Sequence, residues 1–232
     1  ENMKNNFSLK VMTYNIQHGV GVDGNLNIDR TAEVIKSSQA DIIGLNEVDT
    51  RMLRSNFQNQ LKIFSEILNM NYVYGPTLNR LIESYGNGIL TKYPVNKIKN
   101  HKLPGNSERE PRGLLEAQIS VSPSFQLKVL VTHLSLVKED RIRQWEWILN
   151  YINSKTGPFL LMGDFNFQNN ISRDLKYFLA TDKTYPAGAP VKEIDMFFSN
   201  KFNKDKIYTI KSNASDHLPL VLELSYDNSQ NI

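Results

Sequence analysis

The sequence of 232 residues predicts an α/β or α+β layered fold, mixed β-sheets with helices packed on their outer faces. Three observations predict it. Strand-like runs outnumber helix-like ones, and many are joined by short, hairpin-sized connections. Three segments nevertheless carry clear helical periodicity and lie between strands. Four apolar runs also end in acids or amides, at the strand ends where α/β sheets place their chemistry. The composition, 40% hydrophobic and 22% charged, suits a chain with a sizeable core. No Pro-, Gly- or Ser-rich linker divides it, so one domain over 1–232, with its core at about 7–226, is expected.

The elements follow in order. At 9–16, Leu9, Val11 and Thr13 alternate with Lys10, Met12 and Tyr14, the period of a strand; Asn15 stands at its end, before the turn-rich 19–25. Ile28, Ala32 and Ile35 recur at helical spacing, with Asn27 as candidate N-cap. A second apolar strand, 41–47, terminates in Glu47. Leu61, Phe64, Ile67 and Leu68 mark a second amphipathic helix. Residues 72–75 and 88–91 read as strands around a loop carrying Tyr85 and Asn87, and 98–103 as another. Leu115, Ala117, Ile119 and Val121 alternate with polar partners, and 127–132 leads into His133, forming an antiparallel hairpin.

Ile142, Trp145, Leu149 and Ile152 give the third helix, stopped by Thr156-Gly157-Pro158. The run 159–162 then opens into Gly163-Asp164-Phe165-Asn166. Residues i and i+2 of a strand share a side, so Asp164 and Asn166 are expected to project together; an ordinary turn is the competing reading. A short helix is expected around 175–179, a turn-rich stretch at 184–191, and strands at 194–198, 207–210 and 215–224. The last has Asp216 and His217 at its entrance. The polar tail 227–232 is expected to fray.

A net charge of +3 is compatible with a polyanionic partner but too mild to argue for one. The absence of cysteine excludes disulfides, thiolate metal sites and a Cys nucleophile. No apolar run reaches transmembrane length and no leader is recognisable. Because the chain begins at Glu1, it reads either as cytoplasmic or as secreted with its leader removed; a monomer is expected.

The polar residues at strand ends are few in kind: Asn15, Glu47, Asn87, Arg112, His133, Asp164, Asn166, Asp195, Asp216 and His217. Clustered carboxylates repel one another, and a divalent cation relieves that repulsion. With oxygen donors in excess the preferred ion is Mg²⁺ or Mn²⁺, or else Ca²⁺; no HExxH or Cys/His spacing marks a zinc site. The His residues remain for proton transfer, and Arg112 with the Asn amides can hold phosphate oxygens. Cation, base and donors without a protein nucleophile point to phosphate-ester hydrolysis by activated water.

The ordered set Thr-Tyr-Asn-Ile (13–16), Leu-Asn-Glu-Val-Asp (45–49), Tyr-Gly-Asn-Gly-Ile-Leu (85–90), Pro-Arg-Gly (111–113), Thr-His-Leu (132–134), Gly-Asp-Phe-Asn (163–166), Ile-Asp (194–195) and Ser-Asp-His-Leu-Pro (215–219) resembles the endonuclease/exonuclease/phosphatase, deoxyribonuclease-I-like superfamily. The resemblance covers nearly the whole chain. It implies a four-layered α/β sandwich, two mixed sheets face to face with helices outside. It implies a divalent-metal-dependent phosphoesterase, nuclease-like, with a lipid-directed phosphodiesterase or phosphatase as the alternative. Residue by residue, it implies Glu47 as principal metal ligand with Asn15 beside it and Asp216 near the metal. His217 is then the general base and Asp195 its orienting carboxylate. Asp164 and Asn166 position water and phosphate, and His133 stabilises the phosphate or leaving group with Asn87 nearby. Arg112 contacts phosphate; Tyr85, apart from the resemblance, reads as a substrate contact or as a packing residue.

The sequence also departs from the pattern. Asn46 stands where Gln is common. Gln17 stands where abasic-site nucleases carry an Asp, which weakens a two-metal reading. Glu47-Val48-Asp49, Arg54-Ser55, Arg141 and Gln144 look like short bacterial members. Plainer readings apply elsewhere. His18 and His101 read as solvent-facing loop residues, and Asp49–Arg54 as an ion pair ordering the loop after Glu47. Trp145 reads as core and Trp147 as partly exposed. The basic run 97–102 reads as a solvated edge strand.

Overall fold

The computed structural model describes residues 7–105, 110–167 and 174–226; the tail at 227–232 lies outside them. Twelve strands form two six-stranded sheets. The first takes β1 (Phe7–Asn15), β2 (Ile42–Thr50), β3 (Asn71–Arg80), β4 (Glu83–Thr91), β11 (Phe202–Thr209) and β12 (Leu220–Tyr226), in the order β11-β12-β1-β2-β4-β3. The second takes β5 (Val95–Lys102), β6 (Gly113–Ser122), β7 (Phe125–His133), β8 (Phe159–Asp164), β9 (Phe178–Thr181) and β10 (Asp195–Ser199), in the order β5-β6-β7-β8-β10-β9. α1 (Ile28–Ser38), α2 (Gln60–Leu68) and α3 (Lys138–Asn153) are the α-helices of the described residues.

The period-two patterning of the strands builds the layers. Leu9 and Val11 of β1 face Leu160 and Met162 of β8 in one apolar layer between the sheets. Met12 and Tyr14 point the other way, onto Ile28, Ala32 and Ile35 of α1 and Leu61 and Phe64 of α2. Phe159 and Leu161 pack outward against Trp145, Ile148 and Ile152 of α3. Both faces of each central strand are therefore buried, and the four-layered sandwich is the arrangement present. Gly44 permits the close approach of the sheets, because a Cβ there would lie 2.6 Å from Met162 Sδ. Asn27 and Asn59 cap α1 and α2, accepting from the backbone N–H of Arg30 and Lys62.

Several elements differ from expectation. The helix expected around 175–179 is a turn closed by Phe178 N–H on Leu175 O, followed by β9. Phe178, Leu179 and Ala180 pack against neighbouring strands, and tertiary burial outweighs local helix propensity. On α3, Ile142 is exposed while Asp140 and Gln144 are buried, so the buried stripe is rotated from the one read off the apolar residues. His101 is not solvent-facing. Its ring bonds Glu116 at 2.9 Å and lies among Trp147 and Tyr151. The 215–224 strand starts only at Leu220, leaving Asp216 and His217 on the loop before it. The basic run 97–102 does lie on an edge strand, β5.

Topology brings the strand ends together. β1 and β2 are parallel with Asn15 beside Asn46, and β7 and β8 are parallel with His133 beside Asp164. β10 runs antiparallel to β8, so its first residue, Asp195, sits beside the last, Asp164. The two sheets thus present their polar ends at one edge of the sandwich.

Candidate active site

The site begins with two local departures from strand geometry. β2 bulges between Leu45 and Val48, with Glu47 at φ 58°, which turns its carboxylate off the sheet ladder. Asn166 has φ 51°, and its N–H donates to Asp164 Oδ1 at 3.1 Å. Asp164 and Asn166 are therefore joined by an Asx-type turn rather than by the side-sharing of an extended strand. Asn166 Nδ2 donates to Leu134 O at 2.9 Å, anchoring the turn to the end of β7.

Buried amides hold the acids in place. Asn15 Nδ2 donates to Glu47 Oε1 at 3.0 Å and, across the sandwich, to Asp164 Oδ2 at 3.2 Å. Its Oδ1 accepts from Gln17 N–H. Asn46 is a hub: its Oδ1 accepts from Asp164 N–H, and its Nδ2 donates to Asn87 Oδ1 and Thr132 O. Sequence reasoning noted Asn46 only as a departure from Gln. Its side chain joins both sheets behind the acids.

His217 Nδ1 is 2.8 Å from Asp195 Oδ2, which also accepts from Thr184 Oγ1. His217 Nε2 is 3.5 Å from Asp164 Oδ2, and His133 Nε2 is 3.4 Å from the same oxygen. Ser215 Oγ donates to Asn15 O and accepts from His217 N–H, pinning the His217 loop to β1. Burial alone would lower the His217 pKa, but Asp195 and then Asp164 outweigh it and raise the pKa to about 10. Burial also pushes Asp164 up, yet the imidazoles of His133 and His217 hold it well below the usual carboxylate range. Burial raises Asp195. It also raises Asp216, with Glu47 adding to the rise.

Some of these groups, Asp164, His133, Asp216 and His217 among them, line a pocket of about 240 Å³. Its walls include Glu47, Arg112, His133, Asp164, Asn166, Asp216 and His217. Arg112 is buried, pairs with Glu110 at 3.1 Å, and keeps its Nε without a partner among the described residues. Tyr85 and Asn87 stand behind the lining. Tyr85 reaches it by donating from its hydroxyl to Glu110 and carries Arg54 over its ring; Asn87 bonds Asn46 and Gly113. Arg54 also makes the expected pair with Asp49, through two hydrogen bonds of 2.8 and 2.7 Å. Gln144 and Arg141 bond Ser135 and Leu136 and so order the loop that follows His133.

Several lining residues escaped sequence reasoning: Glu110, Leu136, Tyr185, Lys192 and Ile194. The turn-rich 184–191 stretch was the available signal. It carries Tyr185, whose ring lies 5.0 Å from that of His217. His18 was set aside as a loop residue; it is half-buried with Nδ1 3.9 Å from Glu47 Oε2.

The donor set fits a hard divalent cation. Asp164, Asp195 and His217 bring ligand atoms within 4.8 Å of one another, but Asp195 and His217 already spend theirs on each other. Glu47 and Asp216 both open on the pocket, and the Glu47 carboxylate adds to the rise that burial gives Asp216. Carboxylate oxygens without any thiolate suit an oxygen-preferring ion at that pair.

Comparison with known proteins places these features. A family model described as the Endonuclease/Exonuclease/phosphatase family matches residues 12–217. Protein cwh43 of Schizosaccharomyces pombe is 23% identical over 137 residues, 58% of this chain; the match spans only 14% of that protein's length. The crystal structure of an endonuclease/exonuclease/phosphatase from Beutenbergia cavernae superposes with TM-score 0.76 at 22% identity, covering 94% of this chain and 72% of that one. The mannosyl-6-phosphatase Bt3783 of Bacteroides thetaiotaomicron superposes with TM-score 0.72 at 19% identity, covering 93% and 99%. At these identities the structural likeness is one of fold.

Proposed function

The chain belongs to the Endonuclease/Exonuclease/phosphatase family, and from that premise we propose that it hydrolyses phosphodiesters with a water activated by His217. The observation that carries this reading is the Asp195–His217 pair at 2.8 Å, with the far nitrogen of the ring 3.5 Å from Asp164 in a carboxylate-lined pocket. As pH rises through the raised pKa of His217, its Nε2 becomes free to take a proton from a water held beside Asp164, whose oxygen attacks phosphorus as the bond to the departing oxygen breaks. Asp195 keeps the ring oriented and stabilises the imidazolium. Arg112 and Asn166 hold the non-bridging oxygens, and His133 faces the departing oxygen. Glu47 and Asp216 are the residues that would hold the cation, with Asn15 fixing Glu47. When bound, the ion supplies Lewis-acid polarisation of the phosphoryl group.

A second reading, a lipid phosphodiester, is favoured by the pocket's surroundings. Leu136 on the pocket wall and its neighbour Val137 are exposed, as is Val191 beside the wall residue Lys192. Such side chains suit an apolar leaving group better than a nucleic-acid backbone.

The test is a substrate panel with chelated protein to which Mg²⁺, Mn²⁺ or Ca²⁺ is restored: bis-p-nitrophenyl phosphate, p-nitrophenyl phosphate, plasmid DNA, single-stranded DNA, RNA and sphingomyelin vesicles. Cation-dependent cleavage of the diester, lost in His217→Ala, is expected, with Glu47→Gln raising the Mg²⁺ concentration required. Full activity in excess EDTA refutes the cation, and faster turnover of the monoester refutes the diester. Cleavage of sphingomyelin without nucleic-acid cleavage selects the lipid reading.

A further inference from the structure

The turn that follows β1 holds a side chain that the proposed chemistry leaves unused. Gln17 and His18 are consecutive non-glycine residues at φ 45° and 44°, in the left-handed region where a Cβ crowds the following carbonyl. Strain of this kind persists where the surroundings impose it, and it concentrates at functional sites. Here the surroundings are specific. Gly19 N–H donates to Ile16 O and Val20 N–H to Gln17 O. Buried Gln60, the first residue of α2, donates from Nε2 to His18 O at 2.7 Å and accepts at Oε1 from Asp49 N–H. One amide thus clamps this turn to the stretch of β2 just after Glu47.

The consequence lies in the imidazole. His18 Nδ1 is buried and has no hydrogen-bond partner among the described residues, a costly condition for a polar atom. It lies 3.9 Å from Glu47 Oε2. The other Glu47 oxygen, Oε1, accepts from Asn15 Nδ2, so Oε2 is the oxygen that faces His18. Two donors sharing one ion at roughly 2.0–2.2 Å each stand about 3 to 4.3 Å apart, from adjacent to opposite positions. The separation observed falls inside that window and is too long for a hydrogen bond.

We propose that His18 Nδ1 is a nitrogen ligand to the same divalent cation that Glu47 holds, so that the centre takes nitrogen-tolerant ions such as Mn²⁺ and Co²⁺ in preference to Mg²⁺. This rests on the cation proposed at Glu47. An imidazole adds little for Mg²⁺, which favours oxygen, and more for later first-row ions.

The test uses the whole chain stripped of metal, as wild type, His18→Asn and His18→Ala. Asn tolerates the left-handed backbone, so His18→Asn keeps the turn, and matching thermal transitions check this. Isothermal titration with Mn²⁺, Co²⁺ and Mg²⁺ gives affinities, and pulsed EPR of the Mn²⁺ form reads ¹⁴N coupling from a ligated imidazole. The expected result is a loss of about 10- to 100-fold in Mn²⁺ and Co²⁺ affinity, a change under about threefold for Mg²⁺, and loss of the ¹⁴N signal in both variants. Unchanged affinity and an unchanged ¹⁴N signal in a folded His18→Asn protein overturn the assignment while leaving the cation at Glu47 in place. A wild type that binds none of the three ions overturns both.

Discussion

Replacing Asp195 by Asn isolates one charge. Asp195 Oδ2 accepts from both His217 Nδ1 and Thr184 Oγ1, at 2.8 and 2.5 Å, while Oδ1 is buried without a partner among the described residues. An Asn amide placed with its oxygen at the Oδ2 position keeps both hydrogen bonds and puts its NH₂ where nothing was bonded, so the geometry survives and the charge does not. At 2.8 Å, Coulomb's law with an effective dielectric near 20 gives the imidazolium–carboxylate attraction as on the order of 6 kcal/mol. That sets the scale on which His217 loses its stabilisation when it takes the proton. Because Asp195 acts only through His217, its loss is bounded by that of the base itself, about 10²–10⁴ in kcat. His217→Ala should fall in that range, Asp195→Asn should lose about 10²–10³ of it, and the double variant should be little worse than His217→Ala, since groups acting as a unit are non-additive. The assay is the pH profile of kcat on bis-p-nitrophenyl phosphate for the four proteins at matched, saturating Mn²⁺, compared on the alkaline limb where the wild-type His217 ring is deprotonated. Losses that multiply in the double variant, or an Asp195→Asn enzyme within threefold of wild type, would refute the reasoning.

Arg112→Ala should lower activity alike on every base sequence if nucleic acid is cleaved, because a guanidinium on phosphate reads no bases; comparing initial rates on oligonucleotides of different sequence checks it. Gly163→Ala should unfold the chain or cost more than about 3 kcal/mol, since Gly163 has φ 147° and a Cβ there would lie 1.8 Å from Thr132 O on the paired strand; urea denaturation measures it. The Glu116 carboxyl is pushed up by burial but held lower overall by hydrogen bonds from Tyr151 and His101. A carboxyl depressed in the folded state stabilises above its unfolded pKa and loses that contribution as pH falls through the folded value. Glu116→Gln should therefore lower Tm at pH 7 by about 3–6 °C, from about 1.5 kcal/mol for hydrogen bonds to a charged group. The two melting temperatures should converge near pH 3, and a constant gap across that range would contradict the linkage.

The sequence alone determined which segments alternate, which repeat at helical spacing and which polar residues close the strands. These properties are local: a buried strand needs period two and a surface helix needs its apolar stripe wherever the rest of the chain goes. Hence β1, β2, β7, β8 and the three helices were legible, as was the set of polar residues Glu47, His133, Asp164, Asp195, Asp216 and His217 that the fold gathers at one edge, whose roles are the ones proposed above. Legible too was Asp195 as the partner of His217, although the strand invoked to argue it starts only at Leu220. Tertiary structure decided what depends on partners far away in the chain. The 175–179 stretch is a turn and strand because it packs against β10. Gln144 is buried because its amide bonds Ser135 N–H in the loop after His133 and Pro104 O. Asn46 links two sheets because Asp164, Asn87 and Thr132 all meet it. His18 turns toward Glu47 only because Gln60, 42 positions along the chain, holds the backbone of its turn. No periodicity carries such a fact: a histidine in a Gly-rich loop has the same local pattern whether it faces solvent or a carboxylate, and only closure of the sandwich chooses between them.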